Sequence, residues 1–188
     1  DKISEEAEKD DLTKETYLER GEILCYLGRC KKDQDVYYGG KLPVIKTISI
    51  IPMMPQEMAE LLLDSSRVKT YNKLSLGRTD MKQIEGIVGC SKIVRNLTKP
   101  PIGDKLQATT LIHARELDHG SYLVVSRAVP FPESLDDKQT EYGKTEILLG
   151  VNLMVPHSHS SSRVTSVTHV YSSALPAYLA ARVGVSSA

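Results

Sequence analysis

Gly120-Ser121-Tyr122-Leu123-Val124-Val125-Ser126-Arg127-Ala128-Val129 is the stretch whose pattern decides the architecture. Aromatic and β-branched residues dominate it, and Gly120 and Pro130 close its two ends, as turn residues close a strand. Successive side chains of a strand point to opposite faces. The even set, Val124, Ser126 and Ala128, is small and uncharged. The odd set contains Arg127, whose guanidinium is expensive to bury alone. The even set is therefore expected to face the interior, as happens in an antiparallel sheet with one face buried and one face wet.

Outward from this strand the chain remains mostly β from residue 74 on. Candidate strands cover 74–78, 83–85, 90–97, 106–115, 122–129, 144–155 and 163–171, each bounded by Gly, Pro, Asp, Asn or Ser. By the same alternation Thr110 and Ile112 face inward on the strand before 122–129. Upstream, 35–38 and 44–51 are expected to be extended, with Gly39-Gly40 as a turn between them. Pro55 suits the first turn of a helix over 57–63, and the polar run 64–73 ends that helix and begins a loop. Residues 3–30 carry apolar side chains at Ile3, Ala7, Leu12, Leu18, Ile23, Leu24 and Leu27 amid many charges. This spacing predicts one or two amphipathic helices docking by their second half. After the last strand, Ser172-Ser173-Ala174-Leu175-Pro176 announces a helix over 175–183, with Gly184 near its end.

The chain has 188 residues and 40% hydrophobic content, enough for one full-sized core. Lys plus Arg and Asp plus Glu stand at 24 each, so no net field draws in nucleic acid, and no nucleic-acid partner is expected. Cys25, Cys30 and Cys90 fit no zinc or redox spacing, which points to reduced thiols and a cytoplasmic setting. No apolar run approaches the roughly 20 residues that span a bilayer. The first residue is Asp1, and no signal peptide follows, so the sequence is expected to be a piece of a longer chain.

Motifs for chemistry are thin. Gly143-Lys144-Thr145 resembles the end of a phosphate loop, but position 138, where the loop needs glycine, is lysine. His157 and His159 could share a zinc ion on an extended strand, yet Pro156 and the serines after them suit an exposed hairpin turn. His113 and His169 are expected to be hydrogen-bonded sheet histidines. There is no G-x-S-x-G elbow, and the carboxylates at 133–141 read as solvated charge. Asn96-Leu97-Thr98 is a formal glycosylation sequon without a secretory context. No metal, cofactor or catalytic set is expected. Phe131, the single Phe, sits between Pro130 and Pro132. It either plugs the end of the sheet or forms an apolar loop tip that meets a membrane or closes a cavity mouth.

Three stretches in order resemble the START family, the steroidogenic acute regulatory protein-related lipid-transfer domains. They are Leu61-Leu62-Leu63-Asp64-Ser65-Ser66-Arg67 with Tyr71-Asn72, the strand 120–129, and Arg163-Val164-Thr165 leading to Leu175-Pro176-Ala177-Tyr178-Leu179. The resemblance covers roughly 31–188 and leaves 1–30 as a separate N-terminal helical segment. It implies an α+β helix-grip fold: a curved antiparallel sheet wrapped around a C-terminal helix, with an internal cavity for one sterol, phospholipid, ceramide or similar lipid. It also implies that the last helix and the loop around Phe131 act as a lid making transient membrane contact, at a cytoplasmic or peripheral membrane location. The lipid-contacting residues are then Thr110, Ile112, Val124, Ser126, Ala128, Leu175 and Tyr178, with Phe131 at the gate.

The sequence departs from the family in four places. Leu106-Gln107 stands where an Arg-Asp pair is usual, and Ile112 falls near a cavity arginine of several members; both changes favour an apolar or weakly polar ligand. Tyr71-Asn72 replaces Trp-Asp, and the terminal helix is short. A ligand sensor or a cyclase-like enzyme on the same fold is the alternative, but an enzyme needs convergent His, Asp, Glu or Arg groups inside, and the even face named here has none. An interaction module with a filled cavity is a third reading, disfavoured by one Phe and no Trp. Oligomeric state is not legible.

Overall fold

The computed structural model describes residues 18–19, 21–28, 42–85, 88–100, 103–129 and 143–172. Its strands are β1 (Ile23–Gly28), β2 (Val44–Ile51), β3 (Ser75–Ile84), β4 (Cys90–Thr98), β5 (Leu106–Glu116), β6 (Tyr122–Ala128), β7 (Gly143–Ser158) and β8 (Ser161–Ser172). Between β2 and β3 lie α1 (Pro55–Leu63), a 3-10 turn (Ser65–Arg67) and the short α2 (Val68–Tyr71). The strands form one curved sheet in the order β1-β2-β8-β7-β6-β5-β4-β3. All neighbours in that order are antiparallel. The first residues of β7 also reach past β6 to pair in parallel with the start of β5.

Two sequence expectations change here. Residues 23–28, expected to end an amphipathic helix, are a strand paired with β2 over six residues. Ile23, Leu24 and Leu27 satisfy helical spacing, but a β-branched residue, a cysteine and an aromatic also lie in the run, with Gly21 and Gly28 at its ends. Alternation wins because Leu24 and Tyr26 then pack with Leu18, Ile48 and Ile50 on one face. β1 is therefore part of the sheet rather than of a separate N-terminal segment. Residues 74–78 and 83–85, read as two strands, are one strand, β3. Register shifts at Ser75/Gly77 and Asp80/Lys82 interrupt its alternation and hide its continuity.

Pro55 occupies the first turn of α1 as its missing N–H allows, and Glu57 reaches back to accept from the Met54 N–H at 2.9 Å. The run after α1 is more ordered than the loop expected there. Asp64 accepts from the N–H and hydroxyl of Ser66, and buried Val68 holds α2 down. Leu61, Ala59 and the half-buried Met58, Leu62 and Leu63 put α1 on the sheet over β5, β6 and β7. The face that α1 covers is called the inner face below. The expected strand at 35–38, the Gly39-Gly40 turn, the helix over 175–183, the loop bearing Phe131, and the N-terminal helix before Leu18 lie outside the described residues.

Candidate functional site

Strand register places the predicted site residues. Across β5 and β6, Thr110 opposes Ala128, Ile112 opposes Ser126, and Ala114 opposes Val124. Directly opposed residues share a face, so Thr110, Ile112, Val124, Ser126 and Ala128 all lie on the inner face. The face is not uniform, however. Val124 and Ile112 join Val94, Ala114, Met154 and Val164 in a dry cluster beneath Ala59 of α1. Ser126 and Ala128 are half-buried beyond that cluster. Thr110 is fully buried and its hydroxyl accepts from Asn96 Nδ2 at 3.4 Å.

The same registers bring in residues that alternation within one strand did not single out. Val124 opposes Asn152, Asn152 opposes Ser166, and Ser166 opposes Thr47. The Ser166 hydroxyl donates to Asn152 Oδ1 at 2.6 Å. Ser126 opposes Gly150, where an added Cβ would collide with Ser126 Oγ. Glycine there is what lets the Ser126 hydroxyl stand on the inner face. The result is a strip of neutral hydroxyl and amide groups, Thr47, Ser166, Asn152, Ser126 and Thr110, bordering the dry cluster. The signal for it lay in the hairpin: a turn at His159-Ser160 fixes the β7–β8 register.

The inner face also carries charge, which the sequence reading did not place there. Lys92 opposes Ile112, and Asp80 opposes Val94. Lys92 Nζ lies 2.8 Å from Asp80 Oδ2, with the lysine side chain only 9% exposed and the aspartate 53%. Ser65 donates to Asp80 and accepts from Arg78 Nε at 2.9 Å, while Arg78 Nη1 donates to the Tyr71 hydroxyl at 3.2 Å. Burial would raise the Asp80 carboxyl, but hydrogen bonds from Lys92 and Ser65 outweigh it and hold the group below the ordinary carboxylate range. Burial pushes the Tyr71 phenol up, against the pull of Arg78. These groups bond to one another and tie the turn after α1 to β3 and β4, while Arg78 Nη2 is buried without a partner.

The histidines fall as the sequence suggested. His157 and His159 are exposed at the β7–β8 hairpin, and His113 Nδ1 is 2.7 Å from Ser91 Oγ across β4 and β5. His169 is buried within β8. A cavity of about 260 Å3 opens between α1 and the ends of β4–β6, lined by Ala59, Leu63, Cys90, Ala114 and Tyr122. Another, of about 680 Å3, lies at the β5–β6 turn beside Arg115, Leu117, Ser121 and Leu153. Neither is lined by Thr110, Ile112, Val124, Ser126 or Ala128. No described helix is long and apolar enough to cross a membrane.

No protein-family model matches the chain, and no curated protein matches it in sequence. Solved structures do match. The lipid transfer and protein localization domain of human StarD13 (DLC2) superposes with a TM-score of 0.67 at 12% identity, over 92% of this chain and 84% of that one. The STAR-related lipid transfer protein of Xanthomonas axonopodis gives 0.68 at 13% identity, over 90% and 88%. Human StAR-related lipid transfer protein 5 gives 0.68 at 12% identity, over 97% and 88%. The chain has the START fold.

At such identities the likeness is one of fold, and function has to be argued from the site. Of the three stretches singled out in the sequence, the first falls on α1 with α2, the second on β6, and Arg163-Val164-Thr165 of the third on β8, while its Leu175–Leu179 part lies outside the described residues. Of the predicted site residues, five share the inner face; Leu175, Tyr178 and Phe131 lie outside the described residues.

Proposed function

We propose that the chain is a lipid-binding and lipid-transfer domain, holding one mostly apolar lipid against the inner face of its sheet. The observation that carries this is the strip formed by Thr47, Ser166, Asn152, Ser126 and Thr110 beside an apolar wall, on a START-type curved sheet. Ligand sites of this kind use a few neutral polar groups to orient an apolar guest. The Lys92–Asp80 ion pair on the same face is closed on itself, which favours a ligand with an uncharged polar end. Removing hydrocarbon from water is worth about 0.8 kcal/mol per methylene, so an apolar cleft retains a lipid without a strong headgroup contact. In this proposal Leu175 and Tyr178, on a helix closing the cavity, form its far wall. Phe131 makes transient contact with a membrane surface during exchange. The role is binding and carriage rather than chemistry.

Solvent extraction of the purified protein, followed by mass spectrometry, is expected to release one lipid class in stoichiometric amount. Ser126→Leu should abolish that yield by volume, whereas Ser126→Ala, losing one hydrogen bond of roughly 0.5–1.5 kcal/mol, should weaken binding several-fold at most. Protein that carries no lipid and takes none up from vesicles overturns the proposal.

A further inference from the structure

The polar strip on the inner face has bonding capacity left over, and at its centre that capacity is for donating. Ser166 donates its hydroxyl to Asn152 Oδ1 at 2.6 Å. A carboxamide has one acceptor oxygen and a nitrogen with two N–H donors. The bond from Ser166 on β8 engages the oxygen and turns the nitrogen away from β8, towards β6, where Asn152 meets the apolar Val124. Among the described residues Asn152 Nδ2 donates to nothing. Two residues on along each strand, Met154 and Val164 are buried in the dry cluster. Two residues the other way lie Gly150 and the exposed Thr168, paired with each other. Asn152 and Ser166 therefore stand where the dry cluster ends and room for a guest begins.

Ser126 supplies a second donor beside the first. Its Oγ occupies the space over Gly150, since a Cβ there would collide with it. Among the described residues the Ser126 hydroxyl has no hydrogen-bond partner either. Gly150 and Asn152 are two residues apart on one face of β7, roughly 7 Å along the strand. With hydrogen bonds of about 2.8–3.0 Å, one oxygen placed between them can accept from both.

We propose that the polar end of the lipid is a carbonyl group, that of a ketone or an ester, whose oxygen accepts from Asn152 Nδ2 and the Ser126 hydroxyl. The inference rests on the lipid-binding reading above and narrows its ligand. A carbonyl oxygen has two lone pairs and brings no hydrogen of its own, so it satisfies both donors. An alcohol brings a third hydrogen to a place that already has donors to spare. If its oxygen accepts from Asn152 and its hydrogen goes to Ser126 Oγ, the serine's own hydrogen is left without an acceptor. A polar group left unmet in a water-poor cleft costs free energy, so the count of donors sets the preference. Asn152 is then the residue that discriminates between ligands. Ser166 is a positioning residue, fixing which end of the amide faces the guest.

The test offers the full chain, stripped of lipid, three probes of one length: dioctyl ketone, the matching secondary alcohol, and heptadecane. Bound probe is measured by mass spectrometry after competition. The wild type is expected to retain the ketone roughly two- to tenfold over the alcohol, the span of one hydrogen bond, and the alkane least. Asn152→Asp exchanges the donors for a carboxylate that only accepts, and should reverse the preference towards the alcohol. Asn152→Leu should abolish it, and Ser166→Ala, which lets the amide turn over, should narrow it. In the infrared, the carbonyl stretch of bound carbon-13-labelled ketone should lie below its position in hexane and move back up in Asn152→Leu. Thermal melts of the variants serve as the control for folding. Equal retention of ketone and alcohol by the wild type overturns the proposal, as does a preference for the ketone that survives both Asn152 substitutions. A wild-type chain that retains all three probes alike thus loses the carbonyl but keeps the lipid. One that retains none of them fails as a lipid-binding domain, and this inference falls with it.

Discussion

The two ends of the inner face meet the cost of burial in opposite ways. Under α1, Val94, Ile112, Ala114, Val124, Met154 and Val164 make a dry cluster with no polar side chain among them. At the β3–β4 edge, Lys92, Asp80, Arg78, Ser65 and Tyr71 are polar or charged and bond to one another, with Arg78 Nη2 left buried and unpartnered. Bordering the dry cluster on β2, β8, β7, β6 and β5 runs the strip of hydroxyls and amides, whose members are neither all apolar nor fully spent on each other. A closed core has no use for such a strip, because an unpaired buried hydroxyl costs free energy. A face that receives a guest with one polar end does. The contrast separates what holds the fold from what is left for a ligand, and substitutions in each territory can break it.

The largest effect is expected at Met154, fully buried in the dry cluster between Tyr122 on β6 and Val164 on β8. Met154→Ala removes contacts from both neighbours and leaves a cavity, at a cost of about 2–5 kcal/mol. Ser166→Ala, in the polar strip, should cost no more than about 1 kcal/mol, since it loses one hydrogen bond at a half-buried site. Denaturant midpoints of the two variants measure the difference directly. Equal losses would show that the strip is core like the rest.

Gly150 tests whether the Ser126 hydroxyl stands where the registers put it. A Cβ at this position runs into Ser126 Oγ and crowds Ile147, so Gly150→Ala is expected to cost about 1–3 kcal/mol as overpacking does. Adding Ser126→Ala removes the obstructing oxygen and should recover most of that loss, a non-additivity that only a direct contact produces. A double variant no better than the single would falsify the placement of Ser126 opposite Gly150.

Much of this was open to view in the sequence, and the parts that were not share a physical reason. β2, β4, β5, β6, β7 and β8 announced themselves through β-branched runs and turn residues, and α1 through Pro55 and the helix formers after it. Alternation on β5 and β6 put Thr110, Ile112, Val124, Ser126 and Ala128 on one face, which the registers bear out. Alternation is a property of one strand, however, whereas neighbourhood is a property of pairing. Asn152 and Ser166 joined the strip only once the β6–β7 register placed Asn152 beside Val124 and the β7–β8 register placed Ser166 beside Asn152. Lys92 sits two residues from Val94 and so on its face, but its partner Asp80 lies across a bulge that no local pattern reveals. β1 was misread because six residues carry both periods and tertiary packing chose between them. Whether Phe131 is a gate, and whether Leu175 and Tyr178 line the ligand, are questions about residues outside the described structure.

The smallest effect sharpens the charged end of the comparison and shows itself as a dependence on pH. The Asp80 carboxyl is held below its ordinary value by Lys92 and Ser65, so the folded state favours its ionised form more than the unfolded chain does. A depressed carboxyl contributes stability that is fully present above the unfolded value, close to 3.8. That contribution is lost as the pH falls through the lower folded value. With the aspartate side chain 53% exposed, solvent screens the pair, and the contribution is expected to be about 1 kcal/mol or less. Asp80→Asn keeps an acceptor near Lys92 but cannot titrate. Its urea midpoint should therefore fall less than the wild type's between pH 6 and pH 3, with the gap between them shrinking in 1 M salt. Lys92→Met removes the cation instead and leaves Asp80 with Ser65, Arg78 and water, so stability at neutral pH should change little while the acid dependence flattens only in part. An acid response identical in all three proteins would mean that the pair at the β3–β4 edge is not formed in solution, and the balance of charges on the inner face would have to be drawn again without it.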